Sequence, residues 1–226
     1  GNVGGELLKQ LITYNLRLTA PLRVCGISNS EKMYFAEAID LKNWKKPLAA
    51  SPVKMNLDNS LAEVKKVRSD KKILVDCTAS EVVAKRYADF VAAGCDIVTP
   101  NKKANVLPMS KYIAFRKILE KYGKTFQYQA NVGAGLPVLD SVKGLVSVGD
   151  NVKKIEGIFS GTLSYLFNNF DPSTSLGAGG KKFSDLVNEA KEKGYTEPDP
   201  KEDLSGQDGG RKVLILARAM GWSAEF

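Results

Sequence analysis

Histidine is absent from this chain of 226 residues, which removes the side chain that most often moves protons near neutral pH. Acid and base work therefore falls to Lys, Asp, Glu, Tyr or Cys. The densest gathering of such groups is Gly194-Tyr-Thr-Glu-Pro-Asp-Pro-Lys-Glu-Asp-Leu-Ser-Gly-Gln-Asp-Gly-Gly-Arg-Lys212, which packs five carboxylates and two prolines after its opening glycine. A surface loop is one reading of it. The other starts from Asp208 and Lys212, four apart on a helix predicted over Ser205 to Gly221, a spacing that puts both side chains on one face. A lysine held by a carboxylate keeps a usable proton, so Lys212 is the candidate donor and Asp208 its partner.

A second group of residues suits a nucleotide. Gly1, Asn2, Val3 and Gly4, followed directly by an amphipathic helix to Leu16, have the form of the second half of a G-x-G-x-x-G fingerprint whose strand and first glycine would lie before Gly1. Glycine lets the backbone approach a pyrophosphate, which then sits at the positive end of the helix. The apolar run Arg23 to Ser28 is placed where the second strand of such a unit belongs, and no acid stands at its end to take a ribose 2′-hydroxyl. Ser28, Ser30 and the nearby Lys32 suit a 2′-phosphate, which favours NADP over NAD. A turn and helix cap made by Asn29 and Ser30 is a compatible reading. Thr78 and Lys102 stand where two further strands end, the side of a parallel sheet that takes ligands. Thr78 could donate to a cofactor and Lys102 reach across it, while Ser80 reads equally well as a helix N-cap.

These residues need a scaffold. Apolar runs at Lys72 to Thr78, Cys95 to Pro100 and Thr125 to Ala130 alternate with helical patterns at Glu81 to Gly94 and Ser110 to Tyr122, which implies a parallel sheet covered by helices on both faces. After the glycine-rich turn Asn131-Val-Gly-Ala-Gly-Leu-Pro137 the pattern changes to helices at Val138 to Val148, Thr162 to Phe170, Ser184 to Lys193 and Ser205 to Gly221, with a strand at Lys153 to Ser160. The expected fold is α/β: a Rossmann-like nucleotide-binding domain over 1–131, short of its first strand, and a smaller α+β substrate-binding, catalytic and dimerisation domain over 132–226, short of its C-terminal end. Gly177-Ala-Gly-Gly180 is read as a mobile loop, because no strand leads into it.

Composition narrows the partners. With 43% hydrophobic and 26% charged residues the chain can bury a core, and no apolar run is long enough to span a membrane. Without a secretory signal the expected location is the cytoplasm, or the plastid stroma in a plant. Cys25, Cys77 and Cys95 stand singly in apolar stretches and read as core residues rather than metal or redox sites. The net charge of +8 points to an anionic partner. Because the lysines are interleaved with acids, as from Lys182 to Lys193, a phosphate-bearing small molecule fits better than nucleic acid.

The span Ala190 to Lys212 resembles the signature of the homoserine dehydrogenases, glycine-aromatic-Thr-Glu-Pro-Asp-Pro followed by an acidic stretch and Asp-x-x-x-Lys. Thr99-Pro-Asn-Lys-Lys-Ala104, Asn131 to Pro137 and Ile158-Phe-Ser-Gly-Thr-Leu-Ser-Tyr165 are similar to that family in its order, and Val24 to Ser28 and Pro100 to Asn105 to the dehydrogenase half of its bifunctional aspartokinase members. The resemblance implies NAD(P)-dependent interconversion of aspartate semialdehyde and homoserine within threonine and methionine biosynthesis. It makes Lys212 the proton donor to the substrate carbonyl and assigns Asp208 and Glu197 to the amino acid, with Thr162, Tyr195 and Asp203 lining its pocket. It also implies Lys102 at the nicotinamide end, Thr78 and Gly1 to Gly4 at the rest of the dinucleotide, and a homodimer. A monovalent cation, typically Na⁺, would be held by the backbone carbonyls of Val132, Ala134 and Leu136.

Three positions depart from the family pattern. Gln129 stands where a carboxylate is usual, which weakens the attraction for Na⁺, and Gly209 and Gly210 replace larger residues, which would soften the helix carrying Lys212. The alternative functions are another NAD(P)-dependent amino-acid oxidoreductase and an inactive or regulatory fragment.

Overall fold

Most of the elements follow the spacing of apolar residues in the sequence, and the exceptions bear on the site. A computed structural model describes residues 1–171, 176–177, 181–196 and 199–226. The chain divides into two compact units, one made of Gly1–Ala104 with Ile113–Tyr128 and the other of Asn105–Tyr112 with Gln129–Phe226.

In the first unit helix α1 (Asn2–Asn15) starts at Gly1, which supplies no side-chain cap. The run from Arg23 does not join a parallel sheet as expected. Only β1 (Gly26–Ser28) is extended, and it pairs antiparallel with β2 (Met33–Phe35) in a hairpin. The reason is local: the Asn29 side chain accepts from the backbone N–H groups of Glu31 (2.8 Å) and Lys32 (2.7 Å), closing an Asx-type turn that sends the chain back on itself. Asn29 and Ser30 thus shape a hairpin turn and cap no helix. The next helices, α2 (Lys45–Ala50) and α3 (Leu57–Lys66), come later, α3 being capped by Asn56.

The expected parallel sheet forms from β3 (Lys72–Val75), β4 (Cys95–Val98) and β5 (Phe126–Gln127) in the order β3-β4-β5. One helix was expected between β3 and β4; there are two, α4 (Glu81–Lys85) and α5 (Tyr87–Ala92), broken where Arg86 leaves helical geometry and reaches Asp58 and Asp89. The crossover from β4 to β5 uses α6 (Met109–Tyr122), whose Phe115 and Leu119 share a buried face one turn apart. Beneath the sheet Tyr87, Phe115 and Phe126 form an aromatic cluster with centroids 5.2 to 6.1 Å apart, beside Phe90, Val91 and Ile97. Cover is incomplete at β3, one of the two edge strands, where Ile73 and Val75 are 48% and 41% exposed.

The second unit is mostly helical: α7 (Val138–Ser147), α8 (Gly161–Asn169), α9 (Phe183–Glu192), α10 (Pro200–Leu204) and α11 (Gln207–Ala219), with a two-residue ladder between β6 (Phe170–Asp171) and β7 (Leu176–Gly177). Lys153 to Ser160 was expected as a strand and has no ladder partner among the described residues, so its alternation alone does not make it one. Leu166, Leu186 and Ala190 form one core, and Leu214, Ile215 and Leu216 bury the inner face of α11. Of the glycine stretch read as a loop with no strand leading into it, Gly177 instead belongs to β7, paired with Phe170, and 178–180 lies outside the described residues.

Arg218, on α11, is buried although charged, and its guanidinium donates to the carbonyls of Asn105 (2.9 Å), Leu107 (2.7 Å) and Ala224 (2.8 Å). It also pairs with Glu225 at 3.2 Å and lies 4.8 Å from the ring centroid of Tyr112. One side chain thereby fixes the 105–112 segment and the last residues of the chain to the helix that carries the candidate acid.

Candidate active site

The geometry around Lys212 begins at Gly206, whose φ of 71° is open to glycine and ends α10 so that α11 can start in a new direction. The single helix expected over Ser205 to Gly221 is α11, which runs Gln207–Ala219, and the short α10 precedes it. Asp208 falls in the first turn of α11, where the helix dipole favours an acid, and Lys212 follows one turn later. Their ion pair is 2.6 Å long, with side chains only 12% and 18% exposed. Lys212 Nζ donates also to the Phe159 carbonyl at 2.5 Å. Two of its three N–H donors are thus taken, and among the described residues no other group engages it. Gly209 and Gly210 sit in this same first turn, where chain-end freedom makes glycine cheaper than mid-helix. A Cβ at Gly210 would come within 3.1 Å of the Phe226 ring, so the missing side chain is used.

A second cluster joins α8 to α10. Ser160 caps α8, its Oγ accepting from Leu163 N–H at 3.1 Å, and this aims Thr162 inward. The buried Thr162 hydroxyl lies 2.5 Å from the Tyr195 carbonyl and 3.0 Å from Asp203 Oδ1, so its one proton faces two acceptors. Asp203 is itself buried on α10, which packs on both α8 and α11. Tyr195 enters this knot through its carbonyl, while its ring is about half exposed and leans on Tyr165 with centroids 5.2 Å apart. Glu197, the remaining residue assigned to the substrate, lies outside the described residues.

In the first unit Gly1 has open space where a Cβ would stand, and Gly4 faces Cys77, the nearest atom to its missing Cβ being 3.6 Å away. An uncapped helix start with room beside it fits a diphosphate. Ser28, Asn29 and Ser30 are exposed at the hairpin turn, and the Lys32 ammonium donates to the Ala49 carbonyl. At the other strand ends Thr78 is exposed and accepts from Ser80 N–H at 3.1 Å, and Ser80 is the N-cap of α4.

Below Thr78 lies a network that sequence reading did not pick out. Asp76, 3% exposed at the end of β3, accepts from Thr78 N–H (2.8 Å), the Tyr87 hydroxyl and Asn101 Nδ2 (2.9 Å). Thr99 donates to the Asp76 carbonyl at 2.7 Å, and Asn101 reaches the Ser80 carbonyl at 2.9 Å. Burial pushes the Tyr87 phenol far above its ordinary value, and the Asp76 charge pushes the same way. Burial, then Asp76, raises the Cys77 thiol too.

The glycine turn begins with Gln129, whose amide nitrogen and oxygen are both shut away from solvent without a hydrogen-bond partner among the described residues. Gly133 (φ 81°) and Ala134 (φ 50°) follow in left-handed conformations; at Gly133 a Cβ would meet Val138 at 2.6 Å. Val132 is buried, and the Leu136 carbonyl accepts from Val138 N–H at 2.8 Å. A buried amide oxygen without a hydrogen-bond partner is a neutral donor of the kind a hard monovalent cation takes, and among the described residues no cluster of three His, Cys, Asp or Glu offers a charged alternative.

Most of the chain has counterparts among known proteins. Residues 1–129 match the family model for the homoserine dehydrogenase NAD binding domain, and residues 137–226 the model for homoserine dehydrogenase. The chain is 42% identical over 232 residues to a chloroplastic bifunctional aspartokinase/homoserine dehydrogenase 1 of Zea mays, with all of this chain aligned to 24% of that protein. It is 41% identical over 232 residues to a homoserine dehydrogenase of Schizosaccharomyces pombe, spanning 61% of it. The crystal structure of homoserine dehydrogenase from Thermoplasma acidophilum superposes with a TM-score of 0.77 at 26% identity, covering 100% of this chain and 68% of that one.

Proposed function

The chain belongs to the homoserine dehydrogenase family, and from that membership we propose that the protein reduces aspartate semialdehyde to homoserine, and catalyses the reverse oxidation, with NADP as the preferred cofactor. The observation that carries the reading is the shielded pair of Asp208 and Lys212 at 2.6 Å. Bound at α1 and the ends of β3 and β4, the dinucleotide would supply or take up the hydride.

The chain's own residues supply orientation, charge and the proton. Lys212 Nζ gives a proton to the aldehyde oxygen as it becomes a hydroxyl, and its charge lowers the energy of negative charge developing there. Asp208 and the Phe159 carbonyl hold the ammonium in place. Thr162, Asp203 and the Tyr195 carbonyl shape the amino-acid pocket, with Glu197 and Asp208 taking the substrate's ammonium. Thr78 and Lys102 hold the dinucleotide, Gly1 to Gly4 its pyrophosphate, and Ser28 and Ser30 the 2′-phosphate. The reading is tested by following loss of reduced-dinucleotide absorbance with aspartate semialdehyde and the full-length protein; no turnover with either NADPH or NADH would sink it. A homodimer completes the proposal, with an aspartokinase fused to the dehydrogenase as in the Zea mays relative and a place in the cytoplasm or plastid stroma.

NADP is expected to give a higher kcat/KM than NAD in homoserine oxidation, since β1 ends without an acid. A ratio clearly favouring NAD would return Ser28 and Ser30 to a plain hairpin turn.

A monovalent cation would be held by the Gln129 side-chain oxygen and the carbonyls of Val132, Ala134 and Leu136, and would supply positive charge at the glycine turn. Because every one of these donors is neutral, Gln129→Glu should tighten the site. The melting temperature in NaCl should exceed that in choline chloride by a margin about 2–4 °C wider in the variant than in the parent, the equivalent of ~1 kcal/mol. An equal margin in both proteins would remove Gln129 from the cation.

A further inference from the structure

We infer that Asp76, Tyr87 and Asn101 form a positioning cluster that locks the two loops after β3 and β4 into the shape that binds the dinucleotide. The inference rests on the proposed function, because it takes those loops to be the cofactor side of the first unit. Asp76, Tyr87, Thr99 and Asn101 are each no more than 3% exposed. Among the described residues no lysine or arginine pairs with Asp76; its carboxylate is met by a hydroxyl, a side-chain amide and a backbone N–H. A buried carboxylate without a counter-charge is costly, and a core aliphatic residue would be cheaper if stability were the whole purpose.

What the arrangement provides is a fixed relation between the loops. Oδ1 orients the backbone at Thr78, two residues further along the chain. Oδ2 receives Asn101, which through the same amide nitrogen also holds the Ser80 carbonyl, while its Oδ1 accepts from Lys103 N–H at 3.0 Å. Thr99 ties the base of one loop to the other through the Asp76 carbonyl. Thr78 and Lys102, the two residues assigned to the cofactor, are therefore flanked on both sides by this cluster. Tyr87, from α5, closes it from below and fixes the carboxylate rotamer. None of these three residues needs to touch the dinucleotide for its removal to loosen both loops.

The test compares the full-length protein with its Tyr87→Phe and Asp76→Asn variants. Tyr87→Phe keeps the ring in its aromatic cluster and removes only the hydroxyl, so it should fold. Asp76→Asn keeps the shape but leaves one oxygen where there were two, so its NH₂ faces either the Thr78 N–H or the Asn101 NH₂ and Tyr87 hydroxyl. NADPH binding is read by titration of its fluorescence, alongside KM for NADPH, KM for aspartate semialdehyde, kcat and the melting temperature. The expected result is a rise of roughly tenfold or more in Kd and KM for NADPH, given what a hydrogen bond to a charged group contributes. Saturating kcat and KM for the aldehyde should stay nearly unchanged. A purely structural role would instead lower the melting temperature and the active fraction with both KM values unmoved, and that pattern, or unaltered NADPH affinity in Tyr87→Phe, overturns the inference. If the parent protein binds neither NADPH nor NADH, the proposed function itself fails.

Discussion

Lys212→Ala should remove about 10²–10⁴-fold of the turnover in either direction while the affinity for the dinucleotide stays within a small factor of the parent's. In barrier terms the loss is about 3–5 kcal/mol. The size follows from the lack of a substitute: the chain has no histidine, and among the described residues Lys212 is the cation held by Asp208 in a shielded position. The selectivity follows from the fold, since Lys212 lies on α11 and the fingerprint glycines and strand ends belong to the other unit. Lys212→Arg separates the proton from the charge. Arginine keeps the positive charge but does not give up a proton at any working pH, so it should retain substrate affinity better than alanine and still fail to turn over. Single-turnover and steady-state rates in the complete protein decide the matter; a kcat near the parent's in either variant would take the acid role away from Lys212.

The second large effect is on stability. Arg218→Met should destabilise the protein by about 3–5 kcal/mol, a considerable part of the 5–15 kcal/mol typical of a folded domain. The arginine side chain is 1% exposed and donates to three backbone carbonyls, two in the distant 105–107 segment and one at nearby Ala224. Methionine fills much of the volume but leaves those carbonyls without donors, and the cost of unmet buried acceptors exceeds what the hydrogen bonds themselves contributed. Arg218→Lys should recover only a part, because an ammonium is a point charge and cannot span carbonyls in a planar fork. Urea titration of the unfolding transition measures this, and a loss below about 1 kcal/mol in Arg218→Met would mean that water replaces the guanidinium at little cost.

The two variants also show what could be read from the sequence. Asp208 and Lys212 were legible because helical spacing alone brings them together, and α6 was legible because Phe115 and Leu119 repeat on one face. Family membership was carried by motifs. The Asp76 cluster was not legible: its partners stand 11 and 25 residues away, on a helix and after another strand, and no spacing rule joins them. Arg218 was missed for the same reason, since its acceptors are carbonyls up to 113 residues distant, which every residue type offers. The fate of Arg23 to Ser28 shows a different limit. An apolar run records that a segment can be extended, but the Asx turn at Asn29 decided its partner. Lys153 to Ser160 and the break at Arg86 belong here too, being matters of available partners and single backbone angles.

The edge of β3 has a practical meaning for work with this chain. Ile73 and Val75 stand exposed on a strand that, among the described residues, is paired along one side only and holds no proline to blunt it. Such an edge is a template onto which another extended segment adds, and two copies meeting there would satisfy each other's N–H and C=O groups. Samples of the chain by itself should accordingly grow turbid as they are concentrated or warmed, through sheet extension rather than through unfolding.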